Sequence, residues 1–141
     1  MTRIDFYILK AGSRGNRFTL AARLAEKAYR QGHRVLIVVP DEEQQRHMDR
    51  LLWTLRDISF LPHGLLHQAD PRLNPILVGL DDAGDEQDVL INLRPEVPEY
   101  FSRFERVAEC VDDDGEVRRS GRRRYKFYRE HGYPLHSHEV A

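Results

Sequence analysis

The apolar residues of the chain form short runs typical of strands, which alternate with longer stretches at helical spacing. Residues 4–9 combine apolar and aromatic side chains and predict a buried strand. Apolar residues recur at helical spacing over 18–28, and Gly32 is a suitable stop for that helix. The β-branched run at 34–39 predicts a central parallel strand that is covered on both faces. Together these segments predict a β-α-β unit.

The same alternation continues to the basic segment near the end of the chain. Asp41 is a suitable N-cap for a second helix, whose inner face is expected to hold Met48, Leu51, Leu52 and Leu55. Further strands are predicted at residues 58–64, 75–80, 88–93 and 104–111, the last of these being the final strand. Residues 62–75 are rich in turn signals and predict a loop, and residues 116–131 predict the last helix. This order predicts an α/β three-layer sandwich with a mostly parallel sheet.

Length and composition are consistent with one domain. A chain of 141 residues, of which 40% are hydrophobic and 32% charged, is expected to form a single core. We place the domain at residues 1–133 and treat residues 134–141 as a C-terminal tail that need not be ordered. No long apolar span or signal-peptide pattern is present, so a cytoplasmic protein without membrane contact is expected. Cys110 lies in an apolar run and is given no chemistry.

The charges are distributed unevenly along the chain. The net charge is -1, so overall charge gives no reason to expect attraction to DNA. Residues 116–131, however, contain six arginines and one lysine, and acidic residues 112–114 precede them at the expected helix N-terminus. Arg118, Arg122, Tyr125 and Arg129 lie at helical spacing and share one face. This face could bind phosphates, bind a carboxylate, or be a solvated surface.

Sequence motifs for catalysis, cofactors and metals are missing. The loop at 11–18, AGSRGNRF, lacks both the GxGxxG fingerprint and a GK[ST] ending, so no nucleotide site is predicted. His131, His136 and His138 with the acidic residues 112–114 do not have the spacing of a metal site. No nucleophile with a base and an orienting group is recognisable. We therefore expect a protein that is not an enzyme and that holds no cofactor or metal.

Several separate segments, in order along the chain, resemble the chi subunit of bacterial DNA polymerase III holoenzyme. These segments are FYIL, GHRVLIVVPDEEQ, LLW, FLPHG, DVLINL, RFERVAECVD and RRRYKFYREHGYPL. The resemblance extends from residue 6 to about residue 135. It implies a non-catalytic accessory protein whose topology is like that of nucleotide-binding proteins but which has no nucleotide site.

The resemblance also implies two protein partners. Proteins of this family pair with the psi subunit of the clamp loader, and they bind the acidic C-terminal tail of single-stranded DNA-binding protein. Position by position, the tail would contact Arg118 and Arg122; the first of these is lysine in the best-known relatives. Tyr125 and Leu65 would be neighbours in the pocket. Alternatively, Tyr125 and Tyr128 anchor the last helix to the sheet.

The psi-facing surface of the family corresponds to Trp53 and Phe60 in this sequence. Large aromatic residues often dominate interfaces, although both residues could equally belong to the core. Where psi is absent, another tail-dependent partner such as a helicase is an alternative. Contact with DNA is expected to be indirect. The main alternative function is direct binding of single-stranded nucleic acid through the basic helix, and a nucleotide-dependent enzyme is a third.

Overall fold

Strands and helices alternate along the chain in the computed structural model, which describes residues 1–54 and 61–141. The strands are β1 (Arg3–Leu9), β2 (Val35–Val38), β3 (His63–Leu65), β4 (Ile76–Gly79), β5 (Val89–Asn92), β6 (Arg106–Val111) and β7 (Leu135–Val140). The helices are α1 (Arg17–Arg30), α2 (Glu42–Thr54) and α3 (Gly115–Glu130), with a short 3-10 helix at Phe101–Arg103.

The strands form one sheet in the order β3-β4-β2-β5-β6-β1-β7. Every pairing between neighbouring strands of the described residues is parallel. All residues of β2, β4 and β5 are buried, in agreement with their largely apolar sequences. The helices α1 and α2 cover one face of these central strands, and the other face packs against loop residues such as Leu66 and Ala83 and against Phe101 of the 3-10 helix. The strands β3 and β7 lie at the two edges of the sheet.

Alternating side chains of the strands enter two separate cores. On one face, Val35 and Ile37 pack with residues of α1 and α2, including Ala21 and Met48. On the other face, the core includes Ile4 and Phe6 of β1, Leu36 and Val38 of β2, Phe101 of the 3-10 helix and Tyr128 of α3. The two-residue period of each strand divides its side chains between the two faces.

The predicted architecture, an α/β three-layer sandwich with a mostly parallel sheet, is confirmed. The helices α1, α2 and α3 lie where the sequence predicted them. Asp41 caps α2 as expected, because its carboxylate accepts a hydrogen bond of 2.8 Å from the backbone N–H of Gln44. Met48 and Leu52 are buried on the inner face of α2. Leu55 and residues 58–60 of the predicted short strand lie outside the described residues.

Two expectations are corrected. The segment treated as a C-terminal tail contains β7, so the strand at 106–111 is not the last one and the domain extends beyond residue 133. The predicted loop at 62–75 contains β3. Both segments are edge strands with few apolar residues, and pairing with a neighbouring strand stabilises them in place of a buried face of their own.

A buried carboxylate holds β7 against β1. Asp5 of β1 is only 1% exposed, and it accepts hydrogen bonds from Arg3, from Arg106 and, at 2.8 Å, from Nε2 of His138. The His138 ring also stacks on Tyr7, with 4.7 Å between ring centroids. Burial by itself raises the pKa of Asp5, but the hydrogen bonds from His138 and Arg3 and the charge of Arg106 outweigh it and lower the pKa.

We expect the Asp5 carboxylate to make stability depend on pH. Because the folded-state pKa lies below the ordinary value of 3.8, the contribution is fully present above that value and is lost as the pH falls through the folded-state pKa. Urea unfolding at a series of pH values from neutral to strongly acidic measures this contribution to the free energy of unfolding. The variant Asp5→Asn should lose about 1–3 kcal/mol at neutral pH and show a flatter acid limb. Asp113 is exposed, so Asp113→Asn is the control. The same dependence of unfolding free energy on pH in the wild type and in both variants would refute the prediction.

Candidate functional site on the last helix

The helix α3 begins at a well-formed cap. The carboxylate of Asp114 accepts hydrogen bonds of 3.0 and 3.1 Å from the backbone N–H groups of Glu116 and Val117. The neighbouring Asp112 is buried and accepts from the backbone N–H and the guanidinium of Arg17, at the start of α1. Burial by itself raises the pKa of Asp112. The hydrogen bonds that the carboxylate accepts from Arg17 and Asp114 have the larger combined effect, so the pKa lies below its ordinary value. The acidic run therefore links the first turns of α1 and α3.

A buried ionic network attaches α3 to the sheet. Glu109 of β6 is 0% exposed and Arg124 of α3 is 4% exposed, and Nε of Arg124 donates to Oε1 of Glu109 at 2.8 Å. The carboxylate also accepts from Tyr128 at 2.7 Å and from Asn92 at 3.0 Å. Burial, and then the negative charge of Glu109, raise the pKa of Tyr128, so its hydroxyl remains a donor.

This network was not predicted, although the sequence contains a signal for it. Glu109 stands inside the otherwise apolar run VAECV, and a carboxylate in a buried strand requires a partner. Arg124 was counted only as one of the six arginines of residues 116–131, and the structure places it inside the protein. One of the six arginines of the helix is therefore structural, and Tyr128, which is fully buried, is an anchor of the helix.

Most of the other arginines of α3 have no ionic partner within residues 1–54 and 61–141. Arg119 pairs with Glu116 one turn earlier. The side chains of Arg118, Arg122, Arg123 and Arg129 make no hydrogen bond or ion pair with any residue in the described part of the chain. The acidic residues at the front of the helix therefore leave these four later arginines without an ionic partner among the described residues.

A pocket of about 180 Å³ brings together three of the predicted site residues: Arg118, Arg122 and Tyr125. Its other lining residues are Phe6 and Ile8 of β1, Val111 of β6, Gly121 of α3 and Ser137 of β7. The Tyr125 ring both lines the pocket and packs edge-to-face on Phe6, with 5.2 Å between ring centroids. The two roles considered for Tyr125, pocket lining and anchoring, are thus combined. The pocket has an apolar floor with two guanidinium groups at its side.

Gly121 is needed where the helix approaches the sheet. A Cβ atom at this position would lie 3.1 Å from Cγ2 of Val111, a contact tighter than side chains normally tolerate. The small residue therefore brings α3 close to β6 and forms part of the pocket. Phe6 and Ile8 are two positions apart in β1, so their shared face follows from the strand period. The contribution of Ser137 was not foreseen, since residues 134–141 were treated as a tail.

Leu65 does not belong to this pocket, and the prediction that placed it there is corrected. It lies in the edge strand β3, and it packs against the core formed with α1 and α2, on the opposite face of the sheet from α3. Four strands separate β3 from β1, a distance of about 24 Å at the usual strand spacing.

Trp53 lies near the other edge of the sheet. Its side chain, at the end of α2, is 55% exposed, so it is not a core residue. The ring contacts the ring of His63 in β3 edge-to-face, with 4.8 Å between centroids. Phe60, its predicted partner in an interface, lies outside the described residues. Trp53 and the α3 pocket therefore occupy distant parts of the surface.

The loop after β1 does not present an open phosphate cradle. The side chain of Asn16 accepts hydrogen bonds of 2.9 and 3.1 Å from the backbone N–H groups of Phe18 and Thr19, and Asp112 accepts from that of Arg17. The N–H groups that would bind a phosphate at this helix end are occupied by the protein itself. Gly12 and Gly15 have φ values of 81° and 86° and form the turn.

The tail histidines are dispersed. His138 is hydrogen-bonded to the carboxylate of Asp5, His131 is hydrogen-bonded to the carbonyl of Phe127, and His136 is exposed on β7. Within residues 1–54 and 61–141, no group of three or more His, Cys, Asp or Glu residues is arranged to hold a metal ion. Over the same residues, no helix has the length and apolar character needed to cross a membrane.

Comparison with known proteins identifies a family. Residues 1–136 match the family described as "DNA polymerase III chi subunit, HolC". DNA polymerase III subunit chi of Pseudomonas aeruginosa is 40% identical, covering 99% of this chain and 98% of that protein. The subunit of Haemophilus influenzae is 31% identical over 97% of this chain and 96% of its own, and that of Escherichia coli 30% identical over 84% and 82%.

A solved structure supports the fold. The crystal structure of T4 UvsW aligns with a TM-score of 0.70 over 99% of this chain and 41% of that chain, at 9% sequence identity. A likeness at this identity concerns architecture alone. The match over nearly the whole chain and the shared names of its relatives show more: the chain belongs to the chi subunits of DNA polymerase III, which are accessory subunits of bacterial DNA replication.

Proposed function

We propose that the chain is a non-catalytic adaptor of the cytoplasm, which binds the acidic C-terminal tail of single-stranded DNA-binding protein in the α3 pocket. The observation that carries the proposal is that Arg118 and Arg122, whose side chains have no ionic partner among the described residues, line a mainly apolar pocket between α3 and the sheet. Three of the residues that the resemblance implies for binding the tail line this pocket: Arg118, Arg122 and Tyr125.

The chemistry of such a tail complements the pocket. A terminal carboxylate can accept two parallel hydrogen bonds from an arginine, which are stronger than bonds between neutral groups. The terminal apolar side chain would be buried against Phe6, Ile8 and Val111. Carboxylates upstream in the tail would lie near the remaining arginines of the helix. At Arg118 the resemblance implies lysine in the best-known relatives; arginine keeps the charge and adds a planar donor geometry.

A second partner, the psi subunit of the clamp loader, is proposed for the surface around Trp53. A tryptophan that is 55% exposed is the type of residue that anchors interfaces. Because Trp53 and the α3 pocket lie near opposite edges of the sheet, one chain could hold both partners at once. A helicase that uses the same tail is a further partner where psi is absent.

The proposed mechanism is tethering. A subunit bound to the clamp loader through psi, and to tails displayed on coated single-stranded DNA, raises the local concentration of the polymerase at the template. No bond is made or broken in this mechanism. The DNA itself is contacted only through its binding protein.

Direct binding of single-stranded nucleic acid is less well supported. Single strands are usually held by exposed aromatic rings on which bases stack. In α3, however, Tyr128 is fully buried and packs edge-to-face on Phe101, and the rings of Tyr125 and Phe127 are half-buried in the same core. The helix therefore offers nucleic acid its charges but few exposed aromatic surfaces.

Peptide titration tests the adaptor proposal. We expect a labelled peptide ending Asp-Asp-Asp-Ile-Pro-Phe, with a free terminal carboxylate, to bind in the micromolar range. The same peptide with a terminal amide should bind at least about tenfold more weakly, because the charge-assisted hydrogen bonds are lost. Binding should weaken strongly at roughly 0.5 M salt, whereas the apolar psi contact should survive.

Three results would count against this function. The first is no binding of the free-acid peptide by the folded chain, and the second is equal binding of the acid and the amide. The third is tight binding of an oligothymidine in the absence of any binding protein, which would favour the direct nucleic-acid function. Equal loss of the tail and psi contacts in salt would contradict the proposed division between the two surfaces.

A further inference from the structure

The outer edge of β7 is a row of backbone hydrogen-bonding groups that pair with no strand of the described residues. The carbonyls of Pro134 and Val140 accept from the N–H groups of Ile4 and Lys10 in and beyond β1. In a parallel ladder alternate residues point their N–H and C=O groups to the same neighbour, so Pro134, His136, His138 and Val140 face β1. The N–H and C=O groups of Leu135, Ser137 and Glu139 must then face away from the sheet.

This edge differs from the opposite one. The edge strand β3 has three residues and follows Pro62, and short strands and prolines are common means of protecting an edge from pairing. The strand β7 has six residues, no proline and no lysine. A longer and less protected edge is a template for an added strand.

The edge is continuous with the α3 pocket. The side chain of Ser137 lines the pocket, while its backbone groups face outward. An extended peptide lying beside β7 would point alternate side chains onto the α3 face of the sheet, where the pocket is. Arg118 and Arg122, which have no ionic partner in the part of the chain that the structure describes, line the same pocket, so negative charge on the peptide would be favoured there.

We propose that the acidic tail binds in an extended conformation as an eighth strand on the outer edge of β7, with its terminal side chain in the α3 pocket. The inference rests on the proposed function and adds its structural mode. Main-chain hydrogen bonds to Leu135, Ser137 and Glu139 would supply affinity that does not depend on side chains, and the pocket and the arginines would select the carboxyl terminus.

Backbone substitution on the protein tests the added strand. Ser137→Pro removes an outward N–H and leaves the ladder to β1 intact, and proline is tolerated at such edge positions. Ser137→Ala is the matched control, because it removes the pocket-lining hydroxyl and keeps the N–H. We expect Ser137→Pro to weaken binding of the free-acid peptide about tenfold more than Ser137→Ala does, since the alanine variant measures the contribution of the hydroxyl alone. Circular dichroism checks that both variants are folded.

Backbone substitution on the peptide tests it without altering the protein. Two N-methylated peptides are compared. One set of methyl groups is placed at the odd-numbered residues counted back from the terminus, and the other set at the even-numbered residues. A peptide paired with β7 directs every second N–H to the protein, so one set should bind about tenfold more weakly and the other nearly normally. Equal, near-normal binding of both sets would overturn the added strand and leave the proposed function standing.

The remaining outcomes are also distinguishable. If the unmodified peptide does not bind the wild-type chain, the proposed function fails and the added strand fails with it. If the chain self-associates in sedimentation experiments, and Ser137→Pro abolishes this while peptide binding is unchanged, the edge pairs with a second copy and the proposal is overturned.

Discussion

Replacing Arg122 by alanine is expected to weaken binding of the free-acid peptide by about 10- to 100-fold, since hydrogen bonds to charged groups contribute about 1.5–3 kcal/mol each. Arg122 is exposed, lines the α3 pocket and has no ionic partner among the described residues, so its removal should leave the fold unchanged. Fluorescence titration of the labelled peptide measures the effect. The amide peptide, which already lacks the charge, should lose much less.

The adjacent residue provides a matched control. Arg123 is also exposed and also lacks an ionic partner among the described residues, but it borders a different pocket, on the side of the helix near Pro40 and Arg94. The variant Arg123→Ala removes the same net charge from the same helix. A similar loss of affinity in both variants would mean that the helix attracts the tail by its overall charge, and the specific site at Arg122 would be rejected.

Replacing Arg124 by methionine is expected to lower the free energy of unfolding by about 3–5 kcal/mol, the usual cost of removing one partner from a buried ion pair. The change leaves the carboxylate of Glu109, which is 0% exposed, with donors from Asn92 and Tyr128 but no cation. It also removes the donor to the carbonyl of Pro95. Urea unfolding at neutral pH gives the free energy.

Arg123→Met is again the control, because it makes the same substitution one residue away on the exposed side of the helix. Its free energy of unfolding should change by less than about 0.5 kcal/mol. If Arg124→Met unfolds at the same urea concentration as this control, the buried pair does not stabilise the attachment of α3. A folded Arg124→Met variant at low temperature should still bind the peptide, since Arg124 does not line the α3 pocket.

The order of elements was predictable because the apolar pattern is a local property. Continuous apolar runs marked β2, β4 and β5, and helical spacing marked α1, α2 and α3. The two edge strands were not predicted with their observed bounds. The sequence of β7 is LHSHEV and that of β3 is HGL, and neither has a continuous apolar run. Such strands depend on pairing with a neighbour that is distant in sequence, and a local pattern does not contain that neighbour.

The site was predicted only where its residues share one element. Arg118, Arg122 and Tyr125 lie on one face of one helix, so helical spacing places them together, and all three line the pocket. Leu65 was carried over without such a constraint, and it lies on the other side of the sheet. Glu109 and Arg124 are 15 residues apart, and nothing in the helical pattern distinguishes this buried arginine from its exposed neighbours.

From its residues alone, the chain specifies a parallel α/β domain, a basic face on its last helix and membership of a family, because periodicity, composition and motifs are written along the sequence. The pocket is a different kind of property. Its walls come from Phe6, Val111, Arg122 and Ser137, which meet only because the order of strands places β1 between β6 and β7 and α3 crosses over them. The open edge of β7 likewise exists because no strand of the described chain follows it in the sheet, and such an arrangement is set by long-range pairing.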